Sequence, residues 1–346
     1  MNHRPILTFT QGDPAGIGPE ILVKLALGRE PSPAYKRLLI AERVALLALR
    51  KVLPTLPWER LAWLAGLPSR QELEALPPEA VPVFDPVQEE RILQPGAPGA
   101  ADAAGAMAAL DSGVGLVRAG VADALVTAPI AKAVIARHHL PHFTGHTDFL
   151  AQAAGLARYG RDYLMAFLAP DLQVALLSTH LPLRHAIEQV TPQAVGEALD
   201  CLARHAPGGR IAVAGLNPHA GEAGLLGEED AALVAPAVEG ARGRGLDVYG
   251  PESPDSLFAR ARSGEFDWVL ALYHDQGLIA VKTAARGLAT NWTLGLPYLR
   301  TSVDHGTAFS IAGRGMADSR PLAACVETTL RLLSGELPRR RGRAGL

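Results

Sequence analysis

The chain has 346 residues, 48% hydrophobic and 20% charged, enough for two packed domains or one large one with a real core. Its 33 Lys and Arg against 35 Asp and Glu leave a net charge of −2, which excludes an overall basic field for holding nucleic acid or an anionic membrane. No apolar run approaches the ~20 residues that span a bilayer, the opening MNHRPILTFTQGDP is too short in apolar length for a signal peptide, and Cys201 and Cys325 stand far apart with no CxxC; a reducing, cytoplasmic location is expected.

In chain order, short apolar runs alternate with alanine-rich helical stretches, the pattern of an α/β sheet covered by helices. Residues 5–10 read as a strand and 19–27 as the helix after it. The segment 53–98 is proline-rich and weakly patterned, and a surface excursion is expected there. Residues 103–118 read as a helix and 124–128 as a buried strand. Residues 163–168 and 173–177 read as paired strands turned by Pro170-Asp171. Thr191-Pro192 is an N-cap and first helical residue for a helix to about His205. A strand over 210–214, a helix over 228–242 and a strand over 268–272 follow. The tail from Pro338, with Arg339, Arg340, Arg341 and Arg343, reads as a solvated end. There is no internal repeat.

Three of the eleven histidines share one context. His180 ends VALLSTH, His219 ends IAVAGLNPH and His274 ends WVLALYH, each just past a predicted strand. The carboxyl ends of strands border the ligand crevice of open α/β sheets. Three neutral imidazoles there could hold a divalent metal with positions open for substrate and water. A histidine in a loop is also an ordinary hydrogen-bonding residue, and the long gaps form no local ligand motif, so both readings stand. His3, His138, His139, His142, His185 and His205 lack the context and read as structural or exposed.

Two segments carry glycine loops. GDPAGIGPE, residues 12–20, links a strand to a helix and allows close backbone approach to an anion at the helix N-terminus. Its spacing is not GxGxxG, and as a dinucleotide fingerprint it is weak. DHGTAFSIAGRG, residues 304–315, offers backbone amides, the His305 imidazole, Gly306, the Thr307 hydroxyl and Gly313, which suit an adenine nucleotide.

Together these segments resemble a known family. TQGDPAGIGPE (10–20), GHTDFLA (145–151), STHLPL (178–183), LNPHAGE (216–222), YHDQGL (273–278), NWTLGLPYLRTSVDHGTA (291–308) and AGRG (312–315) look like the 4-hydroxythreonine-4-phosphate dehydrogenase family of pyridoxal phosphate biosynthesis. The first and last also resemble the GDGIGPE-like and HGSAPDIAGKG-like loops of isocitrate and isopropylmalate dehydrogenases. The resemblance implies a two-domain α/β fold of that kind with the active site in the interdomain cleft. It implies a discontinuous cofactor-side domain, 1–128 plus 292–346, and a metal, substrate and dimerisation domain, 129–291. The family's metal histidines fall on His180, His219 and His274, and its substrate contacts on His146, Thr147, Lys282, Asn291 and Arg300. The cofactor the resemblance implies is NAD or NADP with a divalent zinc, magnesium or cobalt ion. In that family the metal is shared between subunits, so the resemblance implies a homodimer.

There are departures from the family's pattern. Ala223 stands where glycine is frequent, Asp148 follows Thr147 where glutamate is common, and 279–289 keeps only Lys282 and Gly287 clearly. Those leave open a sibling dehydrogenase acting on phosphorylated threonate or erythronate, or on an aromatic dihydrodiol. The expected reaction is oxidation of a phosphorylated 3-hydroxy acid to a β-keto acid, which loses carbon dioxide. Lys282 is a candidate base, and Asp275 is either a second candidate or the group that orients His274. Arg300 and Lys282 supply positive charge for phosphate or carboxylate. A metal-dependent hydrolase or lyase would use the histidines equally well but has no reason to keep 304–315, and an inert binding protein has no reason to keep the metal and substrate positions.

Overall fold

ILTFT at residues 6–10 is buried at every position, as in a strand covered on both faces. The computed structural model describes residues 4–28, 32 and 34–336; His3 and the basic tail from Pro338 lie outside the described residues. Twelve strands form among the described residues: β1 (Ile6–Thr10), β2 (Lys36–Ile40), β3 (Leu61–Leu64), β4 (Val81–Phe84), β5 (Ala124–Thr127), β6 (Leu164–Leu168), β7 (Gln173–Leu176), β8 (Ile211–Ala214), β9 (Val248–Glu252), β10 (Trp268–Ala271), β11 (Thr290–Leu294) and β12 (Leu299–Val303). With the helices between them they make the α/β class that the alternating pattern predicts. No helix among the described residues is long and apolar enough to cross a membrane.

The chain divides into two compact units, the first of Met1–Phe149 with Tyr298–Leu333 and the second built on Leu150–Pro297. In the first unit the strand order is β3-β4-β2-β1-β5-β12, parallel throughout. Leu7, Phe9, Ile21, Leu22, Val126, Leu322 and Val326 pack its core. Because β1, β5 and β12 are parallel neighbours, the loops that follow them, from Gln11, Ala128 and Asp304, leave the sheet at the same end.

The second unit has the order β11-β6-β7-β10-β8-β9. β11, β6 and β7 are antiparallel, and the β6–β7 pair is the expected hairpin; β7, β10, β8 and β9 run parallel. The helix Pro192–His205 begins as expected, with the Thr191 hydroxyl accepting from Ala194 N at 3.1 Å. Val174, Leu176, Val269, Leu278 and Val281 fill its core.

One expectation is corrected. The segment 53–98 is not a surface excursion: β3 and β4 extend the first unit's sheet, and Val81 and Val83 are 1% and 0% exposed. Strands of four residues, one containing Pro82, are too short and too proline-rich to give a period-2 signal. The same segment contributes Arg91, which bridges two nearly buried carboxylates, Glu42 at 2.6 Å and Asp102 at 2.8 Å. Asp102 also accepts from Gly99 N at 2.8 Å and caps the helix Ala100–Arg118.

Removing Arg91 strands two carboxylates in a dry site. Arg91→Met is expected to destabilise the protein by about 3–5 kcal/mol in urea unfolding. The triple change with Glu42→Gln and Asp102→Asn should recover most of that loss. A single variant as stable as the parent would show that the pair is not desolvated.

Candidate active site

At the carboxyl end of the first unit's strands, the two glycine loops meet. Ile17 N donates to Thr307 O at 3.0 Å, so the turn after β1 leans on the loop after β12. Glu20, fully buried on the helix Gly18–Leu27, clamps the end of that second loop. Its carboxylate accepts from Ala317 N at 2.6 Å, Gly315 N at 3.2 Å and Lys24 Nζ at 2.7 Å. Lys24 also donates to the carbonyls of Gly315 and Ala317 at 2.8 and 2.7 Å. Sequence reading passed over both residues; the only signal was an acid and a base at i, i+4, common on any helix.

The expected cofactor residues lie along this loop. His305 is half-buried, and its Nδ1 donates to Gly306 O at 3.0 Å. Gly313 has a reason within the fold, since its φ is +71° and a Cβ would meet Pro95 at 2.7 Å. Gly306 has none, because a Cβ there would meet nothing within 4 Å. Open space beside an exposed loop glycine leaves room for a ligand to approach the backbone.

Beside it, Arg300 on β12 is 1% exposed and donates to Thr127 Oγ1 at 2.6 Å. Burial lowers its guanidinium to about 10, so it stays charged at neutral pH. His146 starts the helix His146–Ala153, with Thr147 buried next to it. The His146 Nε2 is enclosed and has no hydrogen-bond partner among the described residues. Burial first, then the charges of Arg300 and Lys132, hold its pKa well below the usual histidine range, so the ring is neutral. A buried cation beside a neutral imidazole with an unused ring nitrogen is a place for an anion. The expected residues Arg300, His146 and Thr147 therefore come together in this unit, and Lys132, which sequence reading missed, joins them.

In the second unit the three histidines follow β7, β8 and β10, three parallel neighbours in the order β7-β10-β8. The rings of His180 and His274 lie 5.0 Å apart between centroids. His274 Nδ1 is 2.7 Å from Asp275 Oδ1; a carboxylate only accepts, so that nitrogen carries the proton and Nε2 is left for another partner. His219 stays outside this pair. It is exposed, with Nδ1 3.5 Å from Ser253 Oγ and 4.0 Å from Asp255 Oδ2. Among the described residues no three His, Cys, Asp or Glu side chains converge as a metal's ligands would.

The loops bearing these histidines are tied by side chains that sequence reading did not single out. Ser178 Oγ donates to Leu272 O at 3.0 Å, joining the His180 and His274 loops. Gln276 accepts from Leu272 N at 2.7 Å and donates to Gly215 O at 2.7 Å, joining the His274 and His219 loops. Buried Asp230 accepts from Leu216 N and Asn217 N at 2.6 and 2.9 Å. Beyond it, His219 to Ala223 all have positive φ, four of the five being non-glycine. A left-handed turn of that kind costs about 1–2 kcal/mol per non-glycine residue. Lys282 is exposed on the helix His274–Ala285, eight residues after His274, and Asn291 on β11 has a buried Oδ1 with no hydrogen-bond partner among the described residues.

The family described as Pyridoxal phosphate biosynthetic protein PdxA matches residues 37–329. A 4-hydroxythreonine-4-phosphate dehydrogenase of Acidithiobacillus ferrooxidans is 40% identical over 357 residues, covering 100% of both chains. The crystal structure of 4-hydroxythreonine-4-phosphate dehydrogenase from Klebsiella pneumoniae superposes with a TM-score of 0.81 at 32% identity, over 95% of this chain and 99% of that one. A terephthalate 1,2-cis-dihydrodiol dehydrogenase from Burkholderia xenovorans gives a TM-score of 0.60 at 25% identity, over 94% and 97%.

The turn after β1 also holds a titratable group with a readable pH signature. Asp13 is 1% exposed and accepts from Ala15 N at 3.0 Å. Burial raises its pKa from 3.8 to about 6. The folded chain thus binds this proton more tightly than the unfolded one, and stability from this group is lost as pH rises from about 4 to 6. Asp13→Asn keeps an acceptor for Ala15. It should be more stable than the parent above pH 6, by no more than about 3 kcal/mol, with the gap closing below pH 4. Thermal unfolding across that range reads it, and a pH-independent gap would show that Asp13 titrates normally.

Proposed function

The chain belongs to the family of pyridoxal phosphate biosynthetic proteins PdxA, and from that premise we propose that it is a 4-hydroxythreonine-4-phosphate dehydrogenase. It oxidises 4-(phosphooxy)-threonine at C3, and the resulting 3-oxo acid loses carbon dioxide to give 3-amino-2-oxopropyl phosphate. The observation that carries this reading is the buried cluster of Arg300 and His146 with neighbouring Thr147, dry enough to perturb both titratable groups.

When bound, NAD or NADP would supply the hydride acceptor for C3, and a divalent cation (zinc, magnesium or cobalt) would supply a Lewis acid for the alcohol. The donor chemistry suits such a cation: two imidazoles face each other, and Asp275 backs one of them, as carboxylates do behind metal-bound histidines. His180 and His274 would hold it, with His219 as the third ligand, on a turn whose strain is what a functional constraint leaves behind. That geometry supports Asp275 as the orienting group and leaves Lys282 as the candidate base. Arg300, His146 and Thr147 fix the substrate's anionic end, and Asn291 offers its unused Oδ1 to the substrate's amine or hydroxyl. The loop of His305, Gly306, Thr307 and Gly313, held by Glu20, takes the adenosine part of the cofactor.

The enzyme acts as a homodimer that shares each metal between subunits. In support, Leu183 and Ile187 stand 56% and 41% exposed on the short helix after His180, and Ile279 stands 68% exposed on the helix of His274. Apolar side chains clustered around a site are what a second subunit covers.

Purified protein with 4-(phosphooxy)-threonine and NAD+ or NADP+ should form reduced cofactor, and chelator should abolish this until divalent metal is restored. His180→Ala, His219→Ala and His274→Ala should each lose activity while remaining folded. Mixed after subunit exchange, His180→Ala and His219→Ala proteins should regain part of it if His219 comes from the opposite subunit to the facing His180 and His274. Full turnover in the presence of chelator would refute the metal role; no reduced cofactor with either nucleotide would refute the dehydrogenase reading.

A further inference from the structure

The charge balance around His146 leaves a deficit that one further residue fills. A phosphate monoester carries ~−1.5 to −2 at neutral pH. Arg300, buried beside His146, contributes one positive charge, and the histidine contributes none, because its surroundings keep it neutral. A carboxylate would be balanced by Arg300 alone; a phosphate needs a second cation.

Lys132 is in place to provide it. It is the first residue of the helix Lys132–His138, which follows β5 and so starts at the same end of the sheet as the loop after β12. Its side chain reaches back over Gly145, immediately before His146. A Cβ at Gly145 would lie 2.8 Å from Lys132 Cε and 3.1 Å from Nζ, and Gly145 has φ +139°. Any side chain there would displace the end of the Lys132 side chain. Two charges, those of Arg300 and Lys132, therefore act on one imidazole whose enclosed Nε2 is unused. The neighbouring carboxylate is Asp148, which accepts from Thr144 Oγ1 at 2.8 Å and whose charge also acts on Lys132.

We propose that Lys132 is a further substrate-binding residue, which with Arg300 and Nε2 of His146 forms the site for the substrate's phosphate. The assignment rests on reading this pocket as the substrate's anion site. It makes Lys132 the group that separates phosphorylated from unphosphorylated substrates, because it supplies the charge that only a dianion requires.

The test compares the parent protein with Lys132→Met, Lys132→Arg and Arg300→Lys. The readouts are kcat/KM on 4-(phosphooxy)-threonine and on 4-hydroxythreonine, and calorimetric binding of inorganic phosphate. Lys132→Met keeps the stem and removes the charge. It should lose about ten- to hundredfold on the phosphorylated compound, weaken phosphate binding by a similar factor, and lose far less on the unphosphorylated compound. Lys132→Arg should restore most of both losses. Equal losses on the two compounds, or phosphate binding unchanged in Lys132→Met while Arg300→Lys is impaired, would overturn the role of Lys132 and leave the substrate site standing. An Arg300→Lys protein that matches the parent in all three measurements would overturn the site itself.

Discussion

Parallel strand pairing is the constraint on which the functional loops depend. A parallel neighbour can be reached only by a crossover that returns the chain to the same edge, so successive strands deliver their following loops to one end. In the first unit this gathers the turn after β1, the segment after β5 and the loop after β12. In the second it lines up the loops of His180, His274 and His219 in the order of β7, β10 and β8. Residues more than a hundred positions apart become neighbours without any local motif joining them.

Polar side chains then set the shape of those loops. Glu20 and Lys24 hold the end of the 304–317 loop through five hydrogen bonds to each other and to its backbone. Ser178, Gln276 and Asp230 do the same for the histidine loops. Burial makes such contacts selective, because a buried donor or acceptor that loses its partner carries the full desolvation cost. It also sets protonation states: Arg300 remains a cation, His146 is kept neutral, and Asp13 is shifted toward neutral pH. One cause thus fixes both the loop contacts and the protonation states of the groups beside them.

Much of this was legible along the chain. The alternation of apolar runs and alanine-rich stretches identified β1, β5, β6, β7, β8 and β10, because those strands are buried on both faces and read as continuous apolar runs. The position of three histidines just beyond such strands, and the motifs around residues 10–20, 145–151 and 291–308, picked out the loops that matter. β3 and β4 were not legible, since four residues with a proline carry no period.

The sequence by itself therefore determined the α/β class, the family and the loops that carry polar chemistry, because these depend on local pattern and on motifs contiguous in the chain. The tertiary structure alone decided which distant groups meet. It set Lys132 against Gly145 and His146, placed the carboxylate of Glu20 beneath the second glycine loop, and paired His180 with His274 while leaving His219 apart. Those pairings follow from strand order and burial, which are properties of the packed chain and leave no mark on the spacing of residues.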